Sequence, residues 1–266
     1  MKIIIFTYDR YDSITTSEYF KNHEHIVLCH DKNMKRKYLE HGRVYGELIA
    51  TNEPKGLANN RNYALSLMEE GEWAMFISDD LINVYRYKYY NQASYDVIPE
   101  SIDANKSFNE TIDSDTLLKI SQEEINYCEG NNIYLSGYAS NENGFFLKKK
   151  KRNWSLVDGR CILVKKSNLQ FDENTQLVDD YSFTALNLST FGKVNINQWV
   201  IPKCKRYTKG AYGSIEKRMN QKLKECKYLV EKYPDLIRYA DKPNHVKGSH
   251  IKFRFNKNPM QKSLFC

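Results

Sequence analysis

Trp73-Ala74-Met75-Phe76-Ile77-Ser78-Asp79-Asp80 is the stretch that decides the fold. Five apolar residues in succession read as a strand buried on both faces, as in a parallel sheet covered by helices. The run then stops at two adjacent carboxylates. Uncompensated buried charges are costly, so they are normally paired, solvated or metal-bound. An acidic pair at the carboxyl end of such a strand marks either a binding site or a capped turn.

Upstream, Gly56-Leu57-Ala58-Asn59-Asn60-Arg61-Asn62-Tyr63-Ala64-Leu65 predicts a helix over residues 57–70. Leu57, Ala64, Leu65 and Met68 share one face and Gly71 supplies the stop. Arg61 lies on the same apolar face. It either meets an anion, whether a phosphate or a carboxylate of the acidic motif, or snorkels past the core edge. Residues 2–7 and 25–29 are apolar, β-branched strand runs, residues 11–22 a short helix and residues 43–51 a third strand. This alternation predicts an α/β fold with a mainly parallel, Rossmann-like central sheet flanked by helices. Ligands of such sheets bind beyond the carboxyl ends of the strands. Thr7, Tyr8, Arg10, Asp31, Asp79 and Asp80 all fall there.

Downstream, residues 91–110 read as an exposed loop and residues 115–128 as a helix. Strands are expected at 133–138, 160–164 and 194–201, with the basic run Lys148–Arg152 as a loop. A helix from Val178 to Phe191 closes at Gly192 and opens on a second acidic pair, Asp179-Asp180. Carboxylates there suit the helix dipole and equally suit general acid–base work. Residues 214–233 form an amphipathic helix, with Ile215, Met219, Leu223, Cys226, Val230 and Tyr233 on one face. No domain boundary interrupts the chain. It reads as one domain over 1–266.

No apolar run approaches the ~20 residues of a membrane span. The opening Met1–Thr7 run is too short for a secretion signal. Six scattered cysteines, none in a Cys-x-x-Cys pair, argue against a zinc site or disulfide framework. The expected compartment is a reducing cytoplasm. A net charge of +7, the Lys148–Arg152 run and the Lys252-Phe253-Arg254-Phe255-Asn256-Lys257 tail suit a phosphate backbone, or simply a solvated basic surface. The 20 tyrosines, with many asparagines, resemble the usage of AT-rich genomes, many phages among them.

The order strand, Gly-x-Ala-x-x-Arg-Asn, strand, acidic pair resembles the inverting glycosyltransferases of the GT-A fold. Within that group it is most similar to the phage DNA-base transferases and the TET- and base-J-associated enzymes. The resemblance spans residues 1–200 by motif order, and it implies that residues 1–90 form the nucleotide-sugar-binding half and 91–266 the acceptor-binding half. It implies transfer of a sugar from UDP-arabinose or UDP-glucose to 5-hydroxymethylcytosine in double-stranded DNA, with Mn²⁺ or Mg²⁺. By the same resemblance Asp80 ligates the metal, Asp79 binds the ribose or supports the site, and Gly56, Arg61 and Asn62 serve the donor. Thr7, Tyr8 and Arg10 adjoin the nucleotide, and Asp31 accepts the uracil N3 proton. Asp180 is the base with Asp179 beside it. His245, or else His250, completes the metal site, and Lys252 or Lys247 clamps the diphosphate. Lys209–Ser214 is a lid or a linker. Two positions depart from the family pattern: Ser78 where its metal motif has an aspartate, and Asp179 where its base motif has a glutamate. Rival readings are a GT-A transferase acting on polysaccharide, lipid or protein, a nucleotidyltransferase, and a non-enzymatic basic nucleic-acid-binding domain.

Overall fold

The computed structural model describes residues 1–91, 97–99, 101–108, 110–141, 143–147, 149–205, 215–240 and 246–254. In chain order the strands are β1 (Lys2–Phe6), β2 (Ile26–Cys29), β3 (Glu47–Ala50), β4 (Trp73–Ser78), β5 (Leu81–Arg86), β6 (Glu110–Ile112) and β7 (Leu135–Tyr138). After them come β8 (Lys151–Arg152), β9 (Cys161–Lys165), β10 (Asn195–Asn197), β11 (Val200–Cys204), β12 (Ile237–Tyr239) and β13 (Ile251–Phe253). The helices are α1 (Thr16–Tyr19), α2 (Lys32–His41), α3 (Leu57–Ser66), α4 (Ser114–Gly130), α5 (Asp179–Phe191) and α6 (Ile215–Lys232).

The main sheet runs β3-β2-β1-β4-β9-β7-β10-β8. Its first four strands are parallel, as the alternating pattern predicts. Beyond β4 two strands depart from that direction: β9 enters antiparallel to both β4 and β7, and β8 runs antiparallel to β10, while β7 and β10 pair in parallel. The sheet is mixed, a common condition of large α/β sheets.

Its two faces bury separate cores, and strand alternation decides which side chain joins which. Ile3, Ile5, Val27, Met75, Ile77 and Leu163 face one core, with Leu117 and Ile120 of α4 and Tyr38 of α2. Ile4, Phe6, Leu28, Ala74, Phe76 and Ile162 face the other, with Ala64 of α3, Leu188 of α5 and Leu229 of α6. Helix ends follow local chemistry. Asp31 caps α2 by accepting from Met34 N, and Asp113 caps α4 by accepting from Thr116 N. Gly192, at φ 77°, closes α5 in the left-handed conformation. Helix α3 ends at Ser66, so Gly71 (φ 79°) serves the turn into β4 rather than the helix stop.

Two further expectations are corrected. The single strand expected at 194–201 is two strands in different sheets: β10 ends at Asn197 and β11 begins at Val200 beside β5 in the order β11-β5-β6. The basic run is not simply a loop, since Lys151 and Arg152 form β8, antiparallel to β10. Lys151 bonds buried Glu124 at 2.9 Å and lies 3.7 Å above the Tyr127 ring. Lys150 lies 4.0 Å above the Tyr90 ring. Glu124 also accepts from Asn195 Nδ2 at 2.6 Å and Asn197 Nδ2 at 2.9 Å, tying α4 to β10. Among the described residues no helix is long and apolar enough to cross a membrane.

Candidate active site

The acidic pair lies where the chain passes from the main sheet into the three-stranded one, between the last residue of β4 and the first of β5. Both carboxylates are buried, Asp79 at 3 % exposure and Asp80 at 5 %. Asp79 accepts from Thr7 Oγ1 at 2.6 Å and from Arg10 Nη1 at 2.5 Å. Asp80 accepts from Ser78 Oγ at 2.9 Å and from the same Arg10 nitrogen at 2.7 Å. Asp9, left-handed at φ 54°, turns the chain after β1, and Tyr38 OH accepts the Arg10 amide N–H at 3.0 Å. Burial pushes the Asp79 carboxyl up to about 6, against the pull of Arg10 and Thr7.

Asp79 opens onto a cleft of about 420 Å³, a size suited to a small-molecule ligand, at the carboxyl ends of β1, β2 and β4. The sequence-predicted residues Thr7, Tyr8, Arg10, Gly56, Arg61, Asp79, Asp179 and Asp180 all line it. A Cβ on Gly56 would lie 2.2 Å from Gln176 Oε1, so a side chain there would have to displace the Gln176 amide. That oxygen accepts the Ala58 amide N–H at 3.0 Å at the start of α3. Arg61 meets a carboxylate, but of the second acidic pair. It donates to Asp179 Oδ2 at 2.5 Å and to Gly159 O at 2.6 Å.

The Gly159 peptide serves both members of that pair. Its oxygen takes Arg61, and its N–H approaches Asp180 Oδ2 at 3.4 Å. A Cβ on Gly159 would stand 2.8 Å from Arg61 Nη2 and 3.1 Å from the Asp180 Cβ, so this close approach requires glycine. Asp180 has no cationic partner of its own among the described residues and stays half-buried on the cleft wall. Burial, then Asp179, then Asp158 push its carboxyl up to about 7. Burial raises Asp179 as well, and Arg61 pulls against it. A carboxyl poised near neutrality on a cleft has the properties of a general base.

Other sequence-predicted residues fall elsewhere. Asp31 is spent on the α2 cap and does not line the cleft; the lining residue is its neighbour His30. Asn62 holds the chain after β9, donating to Phe171 O at 2.9 Å and accepting from Phe171 N at 2.7 Å. Asp80 is covered by Ser78 and Arg10 and is absent from the lining. Lys252 sits on β13, paired with Arg238 of β12, and is not among the lining residues. His245 and the segment Lys209–Ser214 lie outside the described residues. His250 bonds Ser249 Oγ at 2.9 Å and does not line the cleft.

Five contributors escaped the sequence reading: His30, Lys55, Asp158, Arg160 and Arg218. His30 Nδ1 is buried without a hydrogen-bond partner among the described residues. Lys55 Nζ lies 4.7 Å above the Tyr8 ring, and that ring is 6.1 Å from the His30 ring. Arg160 pairs with Asp158 at 2.8 Å. The charged Asp158-Gly159-Arg160 triplet directly before an apolar strand was the available signal. Arg218 comes from α6, far along the chain, and nothing local announces it.

A divalent cation is expected at Asp80 with His245 or His250; His245 lies outside the described residues, and His250 does not line the cleft. Among the described residues no three His, Cys, Asp or Glu side chains converge on one point. The carboxylate oxygens of the acidic pair are already engaged by Arg10, Thr7 and Ser78.

No family profile and no curated protein matches the chain. Fourteen chains of solved structures do. A mycobacterial protein aligns with a TM-score of 0.52 at 8 % identity, over 95 % of this chain and 82 % of its own. Residues 1–349 of TarS from S. aureus align with a TM-score of 0.40 at 14 % identity, over 86 % of this chain and 66 % of their own. The first shares the α/β fold, a central sheet between helices. The second is too distant in geometry to carry an argument.

Proposed function

We propose that this chain is a nucleotide-sugar-dependent glycosyltransferase in which Asp180 activates the acceptor hydroxyl. One observation carries the reading: the strand-end carboxylate Asp79 and the half-buried carboxylate Asp180, far apart in sequence, line the same cleft at the carboxyl ends of β1, β2 and β4. That is where α/β sheets bind nucleotides. Thr7, Tyr8 and His30 on the lining suit the nucleoside. Lys55 and Arg218 are cations with no carboxylate partner among the described residues, and they suit a diphosphate. Asp180 takes the acceptor proton as the hydroxyl oxygen bonds to the anomeric carbon. The bond from that carbon to the diphosphate breaks on the opposite face, so the configuration inverts. UDP, the nucleotide that the family resemblance implies, leaves with the bonding pair.

For the acceptor, a hydroxyl of a polysaccharide or protein is favoured over 5-hydroxymethylcytosine in DNA. The basic run that pointed to DNA contributes Lys151 to a buried ion pair and Lys150 to an aromatic face. Those lysines support the fold rather than present a strip for phosphates.

The test is UDP release from UDP-glucose, UDP-arabinose and related donors, offered polysaccharide, protein and hydroxymethylcytosine-DNA acceptors in turn. Release that depends on one acceptor class fixes the reaction. Release only with modified DNA would reverse the acceptor assignment. Failure of every nucleotide sugar to bind would overturn the transferase reading.

A further inference from the structure

We propose that Arg10 is the resident cation of the Asp79–Asp80 pair and stands where a divalent metal would otherwise sit, so that the nucleotide binds without one. The proposal rests on the transferase reading for its ligand, but its central observation does not. One guanidinium nitrogen lies 2.5 Å from Asp79 Oδ1 and 2.7 Å from Asp80 Oδ2. The remaining oxygens are taken by Thr7 Oγ1 at 2.6 Å and Ser78 Oγ at 2.9 Å. All four carboxylate oxygens therefore have donors from within the chain. Mg²⁺ demands near-ideal octahedral oxygen coordination and would have to displace those donors.

Arg10 is also held in place at the main chain. Its amide donates to Tyr38 OH, itself fully buried, and the left-handed Asp9 sets its direction of approach. An arginine so placed cannot lose its charge by deprotonation. With one guanidinium against two carboxylates the pair keeps a formal charge of −1. It therefore cannot attract a diphosphate alone, and that task falls to Lys55 and Arg218 on the lining of the same cleft. Arg10 is thus a positioning residue that neutralises and fixes the acidic pair.

The experiment is a Mn²⁺ titration followed by electron paramagnetic resonance, with and without UDP, beside UDP calorimetry in EDTA and in Mn²⁺. Wild type without UDP should leave the free Mn²⁺ signal intact, with UDP it should take up no more Mn²⁺ than UDP alone, and its UDP affinity should change by less than about tenfold between the two buffers. Arg10→Ala should bind about one Mn²⁺ per chain, since it vacates two adjacent buried carboxylates. Arg10→Lys keeps the cation and should exclude Mn²⁺ as wild type does. Stoichiometric Mn²⁺ binding by wild type, or an EDTA penalty beyond about tenfold, would overturn the proposal. So would an Arg10→Ala protein that folds and ignores Mn²⁺. If Arg10→Ala does not fold, the wild-type titration decides. If UDP binds in neither buffer the transferase reading fails, and the Mn²⁺ titration of the free protein still judges Arg10.

Discussion

Asp79-Asp80 and Asp179-Asp180 are the same dipeptide, each beside an arginine, and they end in different electrostatic states. In the first pair a single Arg10 nitrogen is shared, and both carboxylates are held by donors. In the second, Arg61 is committed to Asp179 and Gly159, which leaves Asp180 to the cleft. The first pair is saturated and fixed. The second is divided into a paired carboxylate and one able to exchange a proton. Two identical groups acquire opposite tasks when their surroundings push their proton affinities apart.

The strongest way to break this contrast is Asp180→Asn. Loss of a general base should lower turnover by about 10²–10⁴-fold, with UDP affinity near wild type. UDP-release kinetics beside calorimetry check it, and near-normal turnover would move the base elsewhere. Next comes Arg61→Ala, which strands buried Asp179 without its cation. Removing one partner of a buried pair costs about 3–5 kcal/mol, to be read from urea unfolding. Loss of under about 1 kcal/mol, the value of a surface pair, would show that the division of the second pair does not depend on Arg61. Gly159→Ala presses a methyl group between Arg61 and Asp180 and should destabilise by about 1–3 kcal/mol, the range for overpacking. A crystal structure of that variant with the Arg61–Asp179 pair undisturbed would refute this account of the glycine.

The same contrast predicts opposite pH trends for activity and stability. Asp180 acts as a base only when ionised, so turnover should rise with pH through about 7. Its folded-state proton affinity lies above that of the unfolded chain, so the native state holds more protons between the usual carboxylate range and about 7. Stability should therefore fall as pH rises through that window. Asp180→Asn should remove the activity trend and reduce the stability trend to the part that Asp79 and Asp179 contribute, and chemical denaturation across the pH range checks the second. The smallest effect belongs to Asp31→Ala. Loss of the α2 cap should cost about 1 kcal/mol with UDP affinity unchanged, because Asp31 faces the helix and His30 faces the cleft. A drop in UDP affinity beyond about tenfold would restore Asp31 to the donor site.

The hydrophobic pattern made β1, β2, β4, α4, α5 and α6 legible, because in each the burial period is a local property of the chain. The acidic pairs and Arg61 were legible as charges out of place on apolar elements. What remained hidden is long-range. That Arg61 takes Asp179 rather than the first acidic pair depends on β9 inserting next to β4, which brings Gly159 to the cleft. The antiparallel insertion itself has no local mark, since β9 reads like any buried strand. Asp31 is ambiguous in the sequence because an aspartate after a strand serves equally as a ligand or as the cap of the next helix, and here it caps α2. The split of residues 194–201 turns on Trp199, whose buried ring packs against Tyr87 at 4.8 Å and carries the chain from one sheet to the other.

The three-residue strand β10 is too short for its apolar content to fix its own alignment. Asn195 and Asn197 flank Ile196 and point their amides at Glu124. A slip by one residue would turn Ile196 toward that carboxylate and rob it of both amide donors, because side chains alternate along a strand. The buried carboxylate thus acts as a proofreader of alignment, accepting one registration of β10 and penalising its neighbours. The edge strand β8, laid on β10 and bonded through Lys151 to the same carboxylate, inherits that choice.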